Sequence, residues 1–243
     1  MKRSPFQILT IISPSYEKVG REMIRRVKRF TGHDVKVIEC PDSEGFRTKL
    51  DLDKHSGKNG VIWMDSDLWP LREWRPEDIY LGNCIQGCHD HAVFNRAAFP
   101  HTDCHKNGLE WSTYLNSGLL CLPLDKPQFR ELFKVARQSW RDRKKGKKTY
   151  VDTTDQASVN EAILTLGLPI QFIPEQYNCY LFGIFHGQRP YIPREILNLH
   201  GAGIPTKKKY ARLKAQASVL SQQSWPMHRE AVEWEFARQF ALR

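Results

Sequence analysis

The sequence predicts an α/β fold, with a mixed, mainly parallel sheet flanked by helices. Three observations lead there. The first 40 residues read strand, helix, strand, which is a βαβ unit. Short apolar runs and amphipathic stretches then alternate to about residue 174. The 243 residues are 40% hydrophobic and 26% charged, a globular composition sufficient for one large α/β domain with an extension.

The elements follow in order. Residues 6–13, FQILTIIS, are an apolar run stopped by Ser13-Pro14-Ser15 and read as a buried strand. Over 17–30, Val19, Met23, Val27 and Phe30 recur at spacings of four, four and three, one face of a helix. Arg21, Arg25, Arg26 and Lys28 fall off that face, and Thr31-Gly32 ends the helix. Residues 34–39 alternate and read as a second strand, parallel to the first through a right-handed crossover. Residues 41–60 are polar, hold Gly45, Gly57 and Gly60, and read as a loop with one helical turn. Residues 61–64 form a short buried strand that ends in Asp65-Ser66-Asp67. Residues 84–94 and 114–122 are further strands.

Residues 127–140 predict a helix, with Pro127 at its first position and Phe129, Phe133, Ala136 and Trp140 sharing a face. RDRKKGKK, 141–148, follows as a solvated loop. Residues 153–166 read as a helix capped by Thr153 or Thr154, and 170–174 as a strand. Asn198 to Gly203, NLHGAG, reads as a turn. The tail holds a basic stretch, Lys207 to Lys214, and an amphipathic helix around Val232, Phe236 and Phe240. The expected organisation is an α/β domain over 1–205 and a basic extension over 206–243.

Composition narrows the function classes. No apolar run approaches the roughly 18 residues needed to cross a bilayer. FQILTII is short and is followed by Ser-Pro rather than a small-residue cleavage site, so the expected location is the cytoplasm. Six cysteines then read as reduced thiols. The net charge of +10 is concentrated: residues 1–30, 141–148 and 206–243 hold more than the whole surplus. That polarisation points to an anionic partner such as nucleic acid, an anionic glycan or a phosphorylated substrate.

Asp65 and Asp67 lie two residues apart just past a buried strand. Two such carboxylates can converge on an octahedral, oxygen-loving divalent ion that also binds phosphate oxygens. In open α/β sheets ligands bind outside the carboxyl ends of strands. Asp51-Leu52-Asp53 is a second D-x-D, but it follows no buried strand and reads as solvated surface.

Four blocks in order, VIWMDSDLWPL, YLNSGLLCL, DTTDQASVNEAI and NLHGAGIPTKKK, resemble the glycosyltransferases of GT-A fold. Within them the resemblance is to the retaining, family 8-like group that includes glycogenin and the bacterial lipopolysaccharide galactosyltransferases. It implies a nucleotide-binding GT-A fold and transfer of a sugar from a nucleotide-sugar donor, UDP-linked, to an acceptor hydroxyl. By the same resemblance Asp65, Asp67 and His200 would hold Mn²⁺ or Mg²⁺. Asn116, Asp155 and Gln156 would face the donor sugar as the catalytic group, with Asp90 a further sugar contact. Ser13, Tyr16, Lys49, Ser66, Gly203 and Lys207 would bind the nucleotide or its diphosphate, Lys49 being preferred to Arg47 on spacing. The chain departs from the pattern at Ser13-Pro14-Ser15-Tyr16, where many relatives carry an acidic residue. The relatives' lysine would fall on Thr206, one place before Lys207, and their Pro-Trp is absent.

The metal would stabilise negative charge on the departing diphosphate as a Lewis acid. His200 would ligate in its neutral form, and hydrogen bonds to sugar hydroxyls would fix the donor's orientation. Cys84, Cys88, His89, His91, His101, Cys104 and His105 crowd into 22 residues, yet they lack the paired spacing of a zinc site and read as thiols and surface histidines. Two acceptors fit the basic segments 141–148 and 206–214. One is a hydroxymethylated base in DNA, flipped out against Trp69, Trp74 or Trp111. The other is a glycan or lipid-linked sugar, with the tail as a peripheral membrane contact. Outside this class, the alternatives are a non-catalytic nucleic-acid-binding protein on a degenerate transferase fold and a metal-dependent nucleotidyltransferase. The second would want a Gly-rich loop after the first strand.

Overall fold

The structure is a computed structural model that describes residues 5–90, 113–145, 155–180, 196–201 and 206–222. The chain divides into two compact units, each assembled from separated stretches of sequence.

The first unit comprises Met1–Pro14, Val35–Asp65 and Arg75–Ile173. It is built on a six-stranded sheet made of β1 (Phe6–Ile12), β2 (Val35–Glu39), β3 (Gly60–Met64), β5 (Ile85–His89), β6 (Leu115–Leu122) and β7 (Ile170–Phe172), in the order β2-β1-β3-β6-β5-β7. The pairs β1–β2, β1–β3 and β5–β7 are parallel, while β6 runs antiparallel to both β3 and β5. This is the predicted mixed α/β sheet. β3 and β6 are buried at every position, as strands covered on both sides must be.

Among the described residues this unit holds the helices α2 (Gly45–Lys49), α3 (Leu52–His55), α4 (Pro127–Lys144) and α5 (Asp155–Thr165). Phe129, Leu132, Phe133 and Ala136 of α4 join Val159, Ala162 and Ile163 of α5 in one core with Leu9, Val61, Trp63, Leu120 and Leu122 of the sheet. Trp140, expected on the buried face of α4, packs partly buried against that core.

Three expectations change here. Residues 41–60 carry two short helices rather than one turn, because Leu50 and Leu52 are fully buried and pull the chain inward. Asp51 and Asp53 are not solvated: the Arg137 guanidinium of α4 donates to both, at 3.2 and 2.7 Å, which ties α3 to α4. The helix from Pro127 runs on to Lys144, so the first part of RDRKKGKK is not a loop. Arg143 is buried there and pairs with Glu161 of α5 at 2.5 Å. Thr153 and Thr154, the expected caps of α5, lie outside the described residues.

The second unit comprises Ser15–Asp34, Ser66–Trp74 and Pro174–Arg243. Helix α1 (Glu17–Thr31) buries Val19, Gly20, Met23 and Val27. Gly32 closes it in the left-handed conformation at φ 76°, its N–H donating to the Lys28 carbonyl. A three-stranded sheet runs β4 (Leu68–Pro70), β9 (Asn198–His200), β8 (Cys179–Tyr180). β4 and β9 are antiparallel, with Leu68 opposite His200. The NLH segment read as a turn is therefore a strand, satisfied by a partner more than a hundred residues away. Helix α6 (Thr206–Gln222) takes up the basic stretch of the tail. Trp69 is fully buried, donates to the Val19 carbonyl at 3.2 Å, and meets Tyr210 of α6 edge-on at 5.6 Å. The helix expected around Val232 lies outside the described residues. Among those described, no helix is long and apolar enough to cross a membrane.

Candidate metal centre and polar cluster

In the first unit, β3 delivers Asp65 to the end of the sheet, where its N–H donates to the Gly118 carbonyl of β6 at 2.9 Å. Asp65 Oδ1 accepts from Trp63 Nε1 and from Lys49 Nζ, both at 2.9 Å. Lys49 ends the short helix α2 and is only 5% exposed. Its ammonium also reaches Asp155 Oδ2 at 2.8 Å and Ser117 Oγ at 3.1 Å, and lies 5.0 Å from the Trp63 ring centroid. Burial works against the charge on Lys49, but Asp155 and Asp65 more than offset it and raise its pKa. The cation is therefore permanent at neutral pH.

A second group of buried amides and acids adjoins it. Asp155 opens α5 and accepts from Ser117 Oγ at 2.9 Å. Gln156 accepts from the Ser117 N–H at 2.9 Å and donates to Asp90 Oδ2 at 2.6 Å. Asn116 Nδ2 lies 3.4 Å from Asp90 Oδ1. One turn on, Asn160 holds both the N–H and the carbonyl of Leu115, which locks α5 to the start of β6. Asn116, Asp155, Gln156 and Asp90 are thus joined in one hydrogen-bond network through Ser117. Ser13, at the end of β1, is buried.

In the second unit, Asp67 and His200 meet through the β4–β9 pairing. His200 Nε2 lies 3.4 Å from Asp67 Oδ1, and the Gly201 N–H donates to the Asp67 carbonyl at 2.9 Å. Both side chains are buried. A Cβ at position 201 would lie 3.3 Å from Asp67 Oδ2 and 3.0 Å from Leu213 Cδ1, so an added methyl would press on both. Lys209 of α6 donates to Asp67 Oδ2 at 2.5 Å and lies 5.1 Å from the Tyr16 ring centroid. Burial opposes ionisation of Asp67, yet His200 and Lys209 overcome it and hold the carboxyl well below the usual range. Ser66 is buried between the two acids in sequence. Lys207 is exposed, and Gly203 lies outside the described residues.

Among the described residues, Asp67 and His200 are the buried pair that could hold a metal ion, and Asp65 lies two residues up the chain. The donor set fits a divalent ion: two ligands on an octahedral centre lie about 3 Å apart, close to the Asp67–His200 separation of 3.4 Å. Cys84 and Cys88 are buried cysteines outside any disulfide, and they form no metal group among the described residues. His91, His101, Cys104 and His105 lie outside these, as does Trp111. Trp63, Ser117 and Lys209 carry contacts that sequence reasoning missed. For Lys209 a signal existed: with Leu213, Gln216, Ala217 and Leu220 it falls on the single buried stripe of α6.

No protein-family model and no curated sequence matches the chain. Solved structures do. The bifunctional glycosyltransferase WbbM, in its apo form, is 13% identical with a TM-score of 0.64, covering 98% of this chain and 52% of that one. The glycosyltransferase GlyE of Streptococcus pneumoniae TIGR4 is 14% identical with a TM-score of 0.53, covering 90% of this chain and 65% of that one. Mouse xyloside xylosyltransferase 1 is 14% identical with a TM-score of 0.53, covering 82% of this chain and 98% of that one. The chain therefore spans about half of WbbM's length and just under two thirds of GlyE's. At such identity the likeness establishes the fold, which is the α/β fold of glycosyltransferases.

Proposed function

We propose that the chain is a metal-dependent glycosyltransferase that takes its sugar from a nucleotide-sugar donor. The observation that carries this reading is the buried Asp67–His200 pair, with Asp65 two residues up the chain, in a glycosyltransferase fold. The ion, Mn²⁺ or Mg²⁺, supplies Lewis-acid stabilisation of the leaving diphosphate when bound. Asp65, Asp67 and His200 would hold it, with His200 neutral. Lys49 keeps the Asp65 and Asp155 carboxylates fixed without metal, so the first unit's polar groups are preorganised. Asp90, Asn116, Asp155 and Gln156 orient the sugar through hydrogen bonds to its hydroxyls. Ser13, Tyr16, Ser66, Gly203 and Lys207 serve the nucleotide and its phosphates.

The donor is UDP-linked and transfer proceeds with retention, readings that rest on the family 8-like motifs. The acceptor hydroxyl then loses its proton to an oxygen of the leaving phosphate, while the anomeric carbon–phosphate bond breaks and the new glycosidic bond forms. A polyanionic acceptor such as DNA is supported by α6, where Lys207, Lys208, Arg212 and Lys214 are exposed and no acidic residue occurs. Segment 141–148 contributes less than its composition implies, since Arg143 is buried.

The test is nucleotide release from a panel of sugar nucleotides with Mn²⁺, Mg²⁺ or EDTA, for wild type and Asp67→Ala. Metal-dependent release from one donor, lost in the variant, is the expected result. No release together with no Mn²⁺-dependent nucleotide binding overturns the proposal. Retained DNA binding in Asp67→Ala would then favour the non-catalytic nucleic-acid-binding alternative.

A further inference from the structure

The carboxylate of Asp67 already has a cation. Lys209 reaches it from the first turn of α6, 142 positions along the chain, and both side chains are buried. A lysine on the apolar stripe of a helix is an odd choice for stability alone. A buried ion pair often contributes no more than well-packed apolar groups of the same volume, and Leu213 and Leu220 show what the rest of that stripe holds. Lys207 and Lys208, on the same turn, are exposed, so only Lys209 is aimed at the acid.

A divalent ion on Asp67 and His200 would put two further positive charges within a few ångströms of the Lys209 ammonium. Where burial limits screening, repulsion at that range is strong. Lys209 would have to leave Asp67, and it would need another anion to leave for. The chemistry that supplies one is a diphosphate, which brings negative charge to the ion and to the lysine together.

We propose that Lys209 is the resident counter-ion of Asp67, displaced when the divalent ion binds and taken over by the diphosphate of the donor, so that ion and diphosphate bind cooperatively. This rests on the metal-dependent reading above and adds a sign to it. The lysine weakens metal binding when no diphosphate is present, and it links the two ligands when both are. Linkage is reciprocal, so each ligand raises the affinity of the other by the same factor. The four-carbon stem gives the ammonium its reach, and the ring of Tyr16, 5.1 Å away, is an aromatic surface along which it can swing.

The experiment measures Mn²⁺ affinity by the electron paramagnetic resonance signal of free Mn²⁺. It is run on wild type, Lys209→Met, Lys209→Arg and Asp67→Ala, each without nucleotide and with UDP, ADP or GDP at fixed free Mn²⁺. Without nucleotide, Lys209→Met is expected to bind Mn²⁺ about 5- to 150-fold more tightly than wild type, the usual range of a coupling. Lys209→Arg keeps the charge and should stay near wild type. With one of the diphosphates, wild-type affinity for Mn²⁺ should rise by a similar factor, and that of Lys209→Met should rise by clearly less, because only the direct attraction between ion and phosphate remains. Added Mn²⁺ should also raise the Tm of Lys209→Met by more than that of wild type. Equal or weaker Mn²⁺ binding by folded Lys209→Met overturns the proposal while leaving the metal reading in place. Absence of Mn²⁺ binding in every variant overturns both. If Lys209→Met fails to fold, wild type decides: no gain in Mn²⁺ affinity with any diphosphate overturns the coupling.

Discussion

Replacing Lys49 by methionine removes one charge and keeps most of the volume of the stem. The lost ammonium makes three polar contacts, 2.9 Å to Asp65, 2.8 Å to Asp155 and 3.1 Å to Ser117. Lys49 and Asp155 are each only 6% exposed at the side chain, so the change leaves Asp155 as a buried carboxylate without its cation. Breaking such a pair from one side costs about 3–5 kcal/mol. Asp65 adds less, because its side chain is 27% exposed and Trp63 still donates to it. The expected loss at pH 7 is about 3–4 kcal/mol, or a Tm lower by about 6–16 °C for a chain of this size.

The sign with pH follows from the pKa of Lys49. Burial lowers it, and Asp155 and Asp65 raise it by more, so the folded value lies above the unfolded one. The stabilisation is then complete below the unfolded value of about 10.4 and fades as pH climbs through the higher folded value. The gap between wild type and Lys49→Met should hold from pH 7 to 9 and narrow only above that. Urea denaturation measures it, together with Asp155→Asn and the double variant. The double variant should lose less than the sum of the two singles. A loss under about 1 kcal/mol for Lys49→Met, or strict additivity in the cycle, would refute the reasoning that Lys49 is the counter-ion of this cluster.

Two further outcomes are expected. Gly201→Ala forces its new methyl against Asp67 and Leu213, so it should cost about 1–3 kcal/mol and weaken Mn²⁺ binding; Gly45→Ala, with nothing within 4 Å of its added carbon in α2, should be neutral or slightly stabilising in the same melt. Glu22 has its pKa lowered chiefly by the hydrogen bond from Arg25, with burial opposing and Arg26 assisting. A depressed carboxyl contributes stability above its unfolded value of about 4.3 that is lost as pH falls. Glu22→Gln should therefore flatten part of the stability loss between pH 5 and 3, by no more than about 1 kcal/mol since Arg25 is largely exposed; an unchanged slope in acid titration of the melt would count against that pairing.

Much of the fold was legible because its signals are local. The apolar run FQILTII, the spacing of Val19, Met23 and Val27, and Pro127 before an amphipathic stretch each fix one element from its own residues. Asp65 and Asp67 were legible as candidate ligands from chemistry and position, and the blocks around Asn116, Asp155 and His200 from resemblance. The misreadings share one cause. Residues 198–200 look like a turn until β4 supplies a partner, and Arg143 looks solvated until Glu161 of α5 comes within 2.5 Å. Asp51 and Asp53 likewise look solvated until Arg137 reaches them.

The sequence by itself determined the strands and helices whose apolar spacing is local, that the sheet is mixed α/β, and that two acids follow a buried strand. Only the tertiary structure decided which cation each acid meets: Lys49 for Asp65 and Lys209 for Asp67. Periodicity records which face of an element is buried, and the rise and turn of a helix or strand convert it directly into local structure. An ion pair is different. Of the three lysines in the first turn of α6, spacing marks Lys209 as the one on the buried stripe, but it does not say which carboxylate that lysine meets. The register of α6 and the pairing of β4 with β9 bring one ammonium to one carboxylate, and those are long-range packing events that no local pattern encodes.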